Sequence, residues 1–304
     1  MVINSIGRYI PETSCDNYEI AERFGKTKAF IDEKIGFRRL AYSKEKTVTE
    51  MMFAAYEDLA VRTSIDPKDI GLIITVVQKP DYSVPHTSAV IHNKIGCSSN
   101  CMTFDIDQGC AGFCYALHIA EKLNIDNTLI LTGERFSSFI SRDILDFAML
   151  LGDAATATLL KRCGSGFTIT DSRCATEPKS CDAIQIIDCL LRMTGADVFS
   201  SACRIVPPAV KDILAQNKLT MENIDLLLLH QASLKIVSFI GKLLKAQEKT
   251  LFLSADYGNT GQSSIPLMLA DQIENEKIKR IVGCGFGAGF SHGTVLLERK
   301  NDQE

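Results

Sequence analysis

The feature that most constrains the fold is a weak internal duplication of the chain. The segments AAYEDLAVRTSIDPKDIGLIITV, beginning at Ala54, and PAVKDILAQNKLTMENIDLLLLH, beginning at Pro208, both predict an amphipathic helix, a turn and an apolar strand. Two further pairs follow at a similar offset, DIDQGCAG with SADYGNTG and TLILTG with RIVGCG. We therefore divide the chain into two related halves, residues 1–160 and 161–304.

The alternation of helices with short, wholly apolar strands predicts the fold class. Strands such as GLIITV and IDLLLL lack the polar alternation of a half-exposed sheet, so we expect helices on both faces of each sheet. No linker rich in proline, glycine and serine separates the halves, which predicts one layered α/β body with a pseudo-twofold axis. Residues 161–207 match nothing in the first half and are expected to form the crossing segment between the halves.

Composition and charge exclude several classes of function. A net charge of −4 gives no electrostatic reason to expect nucleic-acid binding, and no apolar run reaches the roughly 18 residues that a membrane span needs. No secretory signal is visible, and eleven scattered cysteines are typical of a reducing cytoplasm. The Cys97-x3-Cys101 and Cys110-x3-Cys114 spacings lack a second cluster or nearby histidines, which argues against a zinc site. We expect a cytoplasmic protein without nucleic-acid, membrane or metal binding.

Cys110 is the first candidate for chemistry, because it lies where the strand MTFDID gives way to the helix AGFCYALHIAEKLN. A helix N-terminus stabilises negative charge, so this position is expected to lower the pKa of the thiol and favour the nucleophilic thiolate. Gly109 allows backbone geometry closed to other residues, and Ala111 and Gly112 leave room for a substrate. A merely packed cysteine in a tight strand-to-helix turn remains the alternative at this point.

A nucleophilic cysteine needs partners that move protons or stabilise charge. His230 ends the apolar strand IDLLLL, and side chains at the carboxyl ends of strands commonly line a crevice in α/β folds. The duplication places Asn259, in DYGNTGQSSIP, opposite Cys110. Two alternatives stay open: Asn-Thr-Gly is also an ordinary turn sequence, and His230 could be a core histidine. The loop GCGFGAGF at 283–290 precedes a strand, so it does not fit a dinucleotide fingerprint; its backbone N–H groups can instead approach an oxyanion.

Four of these segments together resemble a known family. DIDQGCAGFCYAL, LLHQASLKI, DYGNTGQSSIPL and GFGAGFSHGTVLL are similar to the signatures of β-ketoacyl-ACP synthase III, a condensing enzyme of the thiolase superfamily. SIGRYIPE, KIGFRRL and LGDAATATLL fit the same family in order and spacing. The resemblance implies a thiolase-like fold, with two pseudo-repeated βαβαβ-type halves in a five-layered α/β/α/β/α arrangement. It also implies an acyltransferase of fatty acid biosynthesis that works as a homodimer.

The resemblance assigns roles to the candidate residues. Cys110 would take the acyl group from a coenzyme A thioester, its oxyanion held by its own N–H and by one from Gly287 or Ala288. His230 and Asn259 would then bind the thioester carbonyl of malonyl-ACP and stabilise the enolate formed as carbon dioxide leaves. No metal or redox cofactor is required.

Further positions carry the binding of substrates and of acyl carrier protein by the same resemblance. Lys235 matches a basic position that docks the carrier protein, although it could equally be an ordinary surface lysine. The chain departs from the family mainly at the coenzyme A entrance. The residues aligned with that entrance are Phe30, Lys34, Leu145, Ala196 and Ser233. Val84 aligns with a position that often shapes the acyl pocket of the partner subunit. These departures leave open whether coenzyme A or acyl carrier protein delivers the acyl group.

Two other functions remain open. A related enzyme could move the acyl group from Cys110 onto an oxygen or nitrogen acceptor without decarboxylation, which would not require Asn259. A non-catalytic partner subunit would be expected to lack the nucleophile, which this chain retains. A cysteine hydrolase is conceivable from the residue types alone, but hydrolase triads do not pair the nucleophile with an asparagine from its own pseudo-repeat.

Overall fold

The computed structural model describes residues 1–187 and 190–300. Its strands are β1 Val2–Tyr9, β2 Ser14–Asp16, β3 Arg39–Ala41, β4 Leu72–Val76, β5 Met102–Ile106, β6 Thr128–Glu134, β7 Ala154–Lys161, β8 Gly166–Thr176, β9 Ile184–Ile187, β10 Leu190–Met193, β11 Leu226–Leu229, β12 Arg280–Phe286 and β13 Ser291–Lys300. Its α-helices are α1 Asn17–Arg23, α2 Lys28–Phe30, which continues as a π-helical turn Ile31–Ile35, α3 Val48–Arg62, α4 Thr87–Ile95, α5 Gly112–Leu123, α6 Leu145–Ala148, α7 Gly195–Gln216, α8 Leu234–Leu243 and α9 Ser264–Ala270. Within these residues every helix is too short or too polar to cross a lipid bilayer.

The strand order repeats itself across a large mixed sheet. Nine strands are hydrogen-bonded in the order β11-β12-β13-β8-β1-β7-β6-β4-β5, and β1 meets β8 only through Val2 and Ile3. On one side of this short junction the order is β1-β7-β6-β4-β5, and on the other it is β8-β13-β12-β11, with Thr250 bridged in parallel to Leu227 beyond β11. Strand directions agree as well, since β4–β6 and β11–β12 are parallel while β6–β7 and β12–β13 are antiparallel.

The helices divide into three layers around the two parts of the sheet. Helix α3 packs its apolar face on β6 and β7, and α7 and α8 cover β11 and β12 from the opposite side. Between the two parts lie α5 and α9, whose Phe113, Leu117 and Met268 share one core cluster with Ile130 of β6 and Val295 of β13. The predicted five-layered α/β fold is confirmed; the boundary at residue 160 stays a prediction.

The prediction of a crossing segment over 161–207 is wrong in part. Strand β8 occupies residues 166–176 and pairs with β13 along most of its length, so it holds in the second half the place that β1 holds in the first. Helix α7 already begins at Gly195. The internal duplication did not predict β8, because buried and exposed residues alternate along this strand. The matched segments of the two halves are instead continuous apolar runs.

Candidate active site

Cys110 lies at the start of the central helical layer. Strand β5 ends at Ile106, a 3₁₀ turn covers Gly109–Ala111 and α5 begins at Gly112, as the sequence indicated. Gly109 has a φ of +48°, a conformation that favours glycine. The turn leaves Cys110 partly exposed while Cys114, one helical turn further on, is fully buried.

Three of the predicted residues line one cavity. A cavity of about 280 Å³ is bounded by Cys110, His230 and Asn259 together with largely apolar side chains. His230 follows β11, and its N–H donates to the carbonyl oxygen of Cys284 at 2.9 Å. Asn259 lies just before a 3₁₀ turn and α9, the counterpart in the second half of Cys110 before α5. The two halves therefore supply facing helix starts at the same cavity.

The imidazole of His230 is held in a dry environment. Its side chain is buried, its ring lies edge-on to Phe286 with the centroids 5.4 Å apart, and Nδ1 is 2.8 Å from Ser264 Oγ. Burial lowers the pKa of His230 to about 3, so the ring is neutral at physiological pH. The Ser264 hydroxyl donates its proton to the carbonyl oxygen of Gly261 at 2.7 Å. Ser264 Oγ then accepts from Nδ1–H, which leaves Nε2 as a proton acceptor.

The loop of Asn259 is pinned by its backbone. Asn259 N–H donates to Leu150 O at 2.8 Å, and Gly152 N–H donates to Asn259 O at 2.9 Å. The Asn259 side chain is buried, and its Oδ1 accepts the N–H of Gly261 at 2.9 Å. Because the amide oxygen is engaged in this way, the Nδ2 group is the end of the side chain that can donate to a ligand.

Gly152 offers a direct test of how this pinning positions Asn259. A Cβ at Gly152 would collide with the carbonyl oxygen of Tyr257, a backbone atom that cannot yield without moving the loop. We expect Gly152→Ala to cost about 1–3 kcal/mol of unfolding free energy and to reduce turnover more than acylation of Cys110. Denaturant unfolding and product assays measure the two effects.

The matched control is Gly195→Ala, because a Cβ there would meet no neighbouring atom. Its denaturation midpoint is expected to stay at or above that of the parent chain. Equal midpoints for Gly152→Ala and the parent chain would contradict the close contact with Tyr257.

The backbone at 287–288 packs directly against the thiol. A Cβ added at Gly287 would lie 2.9 Å from Cys110 Cβ and 3.2 Å from its Sγ, so only glycine fits there. The N–H of Gly287 already donates to Ser291 O at 3.0 Å. Of the three oxyanion donors named from the sequence, Gly287 is therefore engaged elsewhere, which leaves the N–H groups of Cys110 and Ala288.

The expected direction of the Cys110 pKa is wrong. Burial and, to a smaller extent, the carboxylate of Glu134 raise the pKa of the thiol to about 12, and only the backbone N–H of Cys110 itself acts in the opposite direction. Desolvation of the thiolate outweighs the favourable helix terminus. Cys110 is thus a thiol at neutral pH, and a proton acceptor is needed when it reacts.

Glu134, which the sequence interpretation did not single out, ends β6 as a fully buried carboxylate. Its Oε2 accepts from the N–H of Gln78 at 2.9 Å and from Gln262 Nε2 at 3.0 Å, while Oε1 accepts the N–H of Lys79 at 3.2 Å. Burial raises its pKa to about 7 although these hydrogen bonds lower it. The one available signal was an acidic residue closing an otherwise apolar strand, TLILTGE.

Replacing Glu134 with glutamine is expected to make Cys110 ionise at lower pH. Above about pH 7 the parent chain carries the Glu134 charge that opposes thiolate formation, and the variant does not. The difference should therefore appear above pH 7 and vanish below it. The measurement is the rate of Cys110 alkylation by iodoacetamide against pH, followed by peptide mass spectrometry.

The same substitution has a signed effect on stability. The folded chain binds a proton at Glu134 that the unfolded chain releases between an ordinary pKa of 4.5 and about 7, so stability falls as pH rises through this window. Glu134→Gln should flatten that fall, whereas Glu121→Gln, at an ion pair with Lys122 on α5, should not.

Coincident alkylation profiles for the parent and Glu134→Gln would rule out the electrostatic coupling.

The entrance residues divide into two groups. Phe30, Lys34, Ser233 and Lys235 line the same cavity as Cys110. Ser233 also has a structural role: its hydroxyl caps α8 by accepting the N–H of Ile236 at 3.4 Å, and serine is a favoured residue at this position of a helix.

Three of the positions named at the entrance, Leu145, Ala196 and Val84, do not line this cavity. Leu145 begins α6 and is 40% exposed. Ala196 lies in the first turn of α7 with its side chain in solvent, while its neighbours Gly195 and Val198 face the cavity. The helix turns Ala196 outward from the cavity wall, and its role in substrate binding stays a prediction. Val84 is 85% exposed on the loop before α4; its predicted role concerns the pocket of a partner subunit and stays a prediction.

The apolar wall of the cavity was not predicted. It is formed by side chains from several elements: Phe136, Phe147, Leu150, Leu151, Met193, Val198, Phe286 and Phe290. Several of them, such as Leu150 and Leu151, lie in apolar stretches that the sequence alone assigns equally well to the core. Among the described residues, no three His, Cys, Asp or Glu side chains are grouped so that they could hold a metal ion.

The fold and the site define the class of protein. Duplicated α/β halves that bring a cysteine, a histidine and an asparagine to one narrow cavity define a thiolase-like acyltransferase of the condensing type. Two family models match the chain: 3-oxoacyl-[acyl-carrier-protein] synthase III over residues 104–178, and the C-terminal part of the same family over residues 214–299. Together they cover more than half of it.

Individual relatives agree over almost the full length. The β-ketoacyl-[acyl-carrier-protein] synthase III of Clostridium novyi (strain NT) is 28% identical over 97% of this chain and 98% of its own. That of Acholeplasma laidlawii (strain PG-8A) is 29% identical over 97% of both. The crystal structure of 3-oxoacyl-[acyl-carrier-protein] synthase III from Aquifex aeolicus VF5 superposes with a TM-score of 0.91 at 26% identity, covering 98% of this chain and 99% of that one. The chain belongs to the 3-oxoacyl-[acyl-carrier-protein] synthase III family.

Proposed function

We propose that this chain is a β-ketoacyl-ACP synthase III in which Cys110 takes an acyl group from a thioester and passes it to malonyl-ACP with loss of carbon dioxide. The observation that carries the assignment of roles is the convergence of Cys110, His230 and Asn259 on one cavity. The product is a β-ketoacyl-ACP, and fatty acid biosynthesis is the process it serves.

In the loading step, Cys110 Sγ attacks the thioester carbonyl as its proton moves to Nε2 of His230. A neutral imidazole suits this role because its Nε2 carries a lone pair while Nδ1–H is held by Ser264. The N–H groups of Cys110 and Ala288 stabilise the oxyanion. The tetrahedral intermediate then expels the donor thiolate, which takes the proton back from His230.

In the condensation step, the malonyl thioester oxygen accepts hydrogen bonds from Asn259 Nδ2 and His230 Nε2–H. Rotation of the Ser264 hydroxyl toward Nδ1 supplies the tautomer in which Nε2 donates. Carbon dioxide leaves, and the electron pair of the broken C–C bond forms the enolate. Its carbon attacks the acyl-Cys110 carbonyl, the thiolate of Cys110 leaves, and a solvent proton restores the thiol.

The donor is an acyl thioester of coenzyme A or of acyl carrier protein, and neither step uses a metal or redox cofactor. Phe30 and Lys34 line the cavity, where the ring of Phe30 can stack on the carrier arm of the donor and the ammonium of Lys34 can bind a phosphate on it. The ring of Phe30 already has Lys26 Nζ 5.5 Å from its centroid.

For its protein partners, we place acyl carrier protein at Lys235 and a second copy of the chain along β5. The ammonium of Lys235 lies 4.8 Å above the ring of Phe199 beside the cavity, where an acidic carrier can meet it. Strand β5 ends the sheet and presents an unpaired edge that a second copy can extend. We also propose that the protein is cytoplasmic, as its cysteine usage predicts.

Condensation is preferred to acyl transfer onto an oxygen or nitrogen acceptor because Asn259 donates into the cavity, and only decarboxylation calls for it. The deciding experiment exposes the purified protein to a panel of acyl-CoA and acyl-ACP donors and records its intact mass. Malonyl-ACP is then added, and carbon dioxide release and β-ketoacyl product are measured. An acyl adduct without either product would leave the acyltransferase alternative in place of the synthase.

A further inference from the structure

One polar side chain of the cavity wall takes no part in the proposed mechanism. Among the described residues that line the cavity, those outside the entrance and the three reacting groups are apolar or glycine, with the exception of Gln78. Gln78 follows β4 and is half-buried. No described group hydrogen-bonds to its carboxamide, whose oxygen accepts and whose nitrogen donates. The cavity wall therefore offers a hydrogen-bonding group to whatever fills the cavity.

The backbone of Gln78 is fixed from two sides. The N–H of the preceding residue, Val77, donates to Ile106 O at 3.1 Å, at the end of β5. The N–H of Gln78 donates to Oε2 of Glu134 at 2.9 Å, at the end of β6. Because two neighbouring strands hold the point at which the side chain leaves the backbone, the sheet itself positions the carboxamide.

The carboxamide lies beside the turn that carries Cys110. A Cβ added at Gly109 would lie 3.1 Å from Gln78 Nε2 and 3.4 Å from Cβ of Ala288. The N–H of Ala288 is the second donor of the proposed oxyanion site, so Gln78 flanks the turn on which that site is built. The first carbons of an acyl group on Cys110 are therefore the part of the substrate nearest to the carboxamide.

We propose that Gln78 is a specificity-determining residue, which selects an acyl group with an uncharged hydroxyl on its third carbon. This inference rests on the proposed function, because it concerns the acyl group of that reaction's donor. The hydroxyl donates to Oε1 of Gln78 or accepts from Nε2, while the rest of the chain packs on the apolar wall. An alkyl group of the same shape would take water away from the carboxamide and leave it without a partner.

The third carbon follows from the position of the thioester carbonyl. The carbonyl oxygen is directed to the N–H groups of Cys110 and Ala288 in the proposed loading step. The second carbon is bonded directly to that carbonyl and is held with it. The third carbon is the first one that can turn its substituent toward a neighbouring side chain.

The surroundings disfavour a charged acyl group. The wall is mostly apolar, so a carboxylate or an ammonium would lose its hydration there without a counter-ion. The carboxylate of Glu134, which contributes to the raised pKa of Cys110, would also repel an acidic acyl group. Both oxygens of Glu134 already accept hydrogen bonds, so they are engaged when a cationic group arrives. A hydroxyl avoids each of these costs.

The test compares two acyl groups of the same shape. The 3-hydroxybutyryl and 3-methylbutyryl thioesters differ only in a hydroxyl that replaces a methyl group, and both enantiomers of the first are used. Each is supplied on coenzyme A and on acyl carrier protein, and intact mass gives the rate of Cys110 acylation. We expect the better enantiomer to react about tenfold faster than the methyl analogue, since the analogue leaves one polar group unpaired.

A matched pair of variants assigns this preference to Gln78. Gln78→Met keeps the length of the side chain and the backbone N–H that binds Glu134, but it removes both polar atoms. The preference should then disappear or reverse. Gln247→Met, the same replacement at an exposed position in the 3₁₀ turn after α8, should keep it. Because each preference is a ratio within one protein, a change in the amount of folded protein cancels.

Binding to Cys110→Ala, measured by calorimetry with the same thioesters, separates this inference from the proposed function. A tighter complex with the hydroxyl compound, without acyl adduct or carbon dioxide release in the parent chain, would contradict the proposed chemistry and support the selection by Gln78. Equal affinities and rates for the two acyl groups, no binding of either, or a preference that survives Gln78→Met would overturn the selection. Acylation of Cys110 at equal rates would do so while leaving the proposed nucleophile in place.

Discussion

Cys110→Ala is expected to abolish both the acyl adduct and condensation, with turnover falling by at least roughly 10⁴-fold, as is usual when a covalent nucleophile is removed. Intact mass after incubation with acyl donors measures the adduct. Carbon dioxide release from malonyl-ACP should persist at a low rate, because His230 and Asn259 remain.

Cys114→Ala is the matched control, because it removes a thiol one helical turn away. Cys114 is fully buried and packs against Gly293, away from the cavity. Its loss should lower stability by about 1 kcal/mol while the acyl adduct still forms. An adduct that survives in Cys110→Ala, or that disappears in Cys114→Ala, would assign the nucleophile to another residue.

The fold was largely predictable because its central strands are buried on both faces. β4 (LIITV) and β6 (TLILTGE) are mostly apolar and fully buried, so the sequence reports them without ambiguity. Strand β8 was missed because its exposed face carries polar residues. Helix α7 also runs through Pro207 and Pro208, which local rules treat as a break; burial of its apolar face against the second half of the sheet sustains it.

The site residues that lie at strand ends or helix starts were predictable from the sequence. Cys110, His230 and Asn259 each follow an apolar strand or precede a helix, and such ends converge in a duplicated α/β fold. Ser264 escaped notice because its importance comes from a contact between distant segments, which no local pattern records, and Glu134 left only the weak signal of an acidic residue at a strand end. The direction of the Cys110 pKa failed for the same reason: desolvation depends on how the cavity is enclosed, not on the helix start alone.

His230→Ala and Asn259→Ala are expected to separate the two half-reactions. In the proposed mechanism Asn259 acts only on the malonyl thioester, so Asn259→Ala should load Cys110 at nearly the parental rate and lose condensation by roughly 10²–10³-fold, the usual effect of removing one donor to a developing oxyanion. His230 also accepts the proton of a thiol whose pKa is about 12, so His230→Ala should slow loading as well. Single-turnover acylation and product formation, measured separately, give the two rates.

Ser264→Ala refines this test, because its hydroxyl holds Nδ1 of His230 at 2.8 Å without lining the cavity itself. Without that partner, neither tautomer of the His230 ring is favoured, so the rates of loading and of condensation should both fall moderately. Ser264→Thr should restore both rates if its hydroxyl regains the contact with Nδ1. Equal losses of loading in Asn259→Ala and His230→Ala would show that the two side chains act as one unit. In that case the proton of Cys110 must leave by a route other than Nε2, and the division of labour argued from their separate hydrogen bonds would fail.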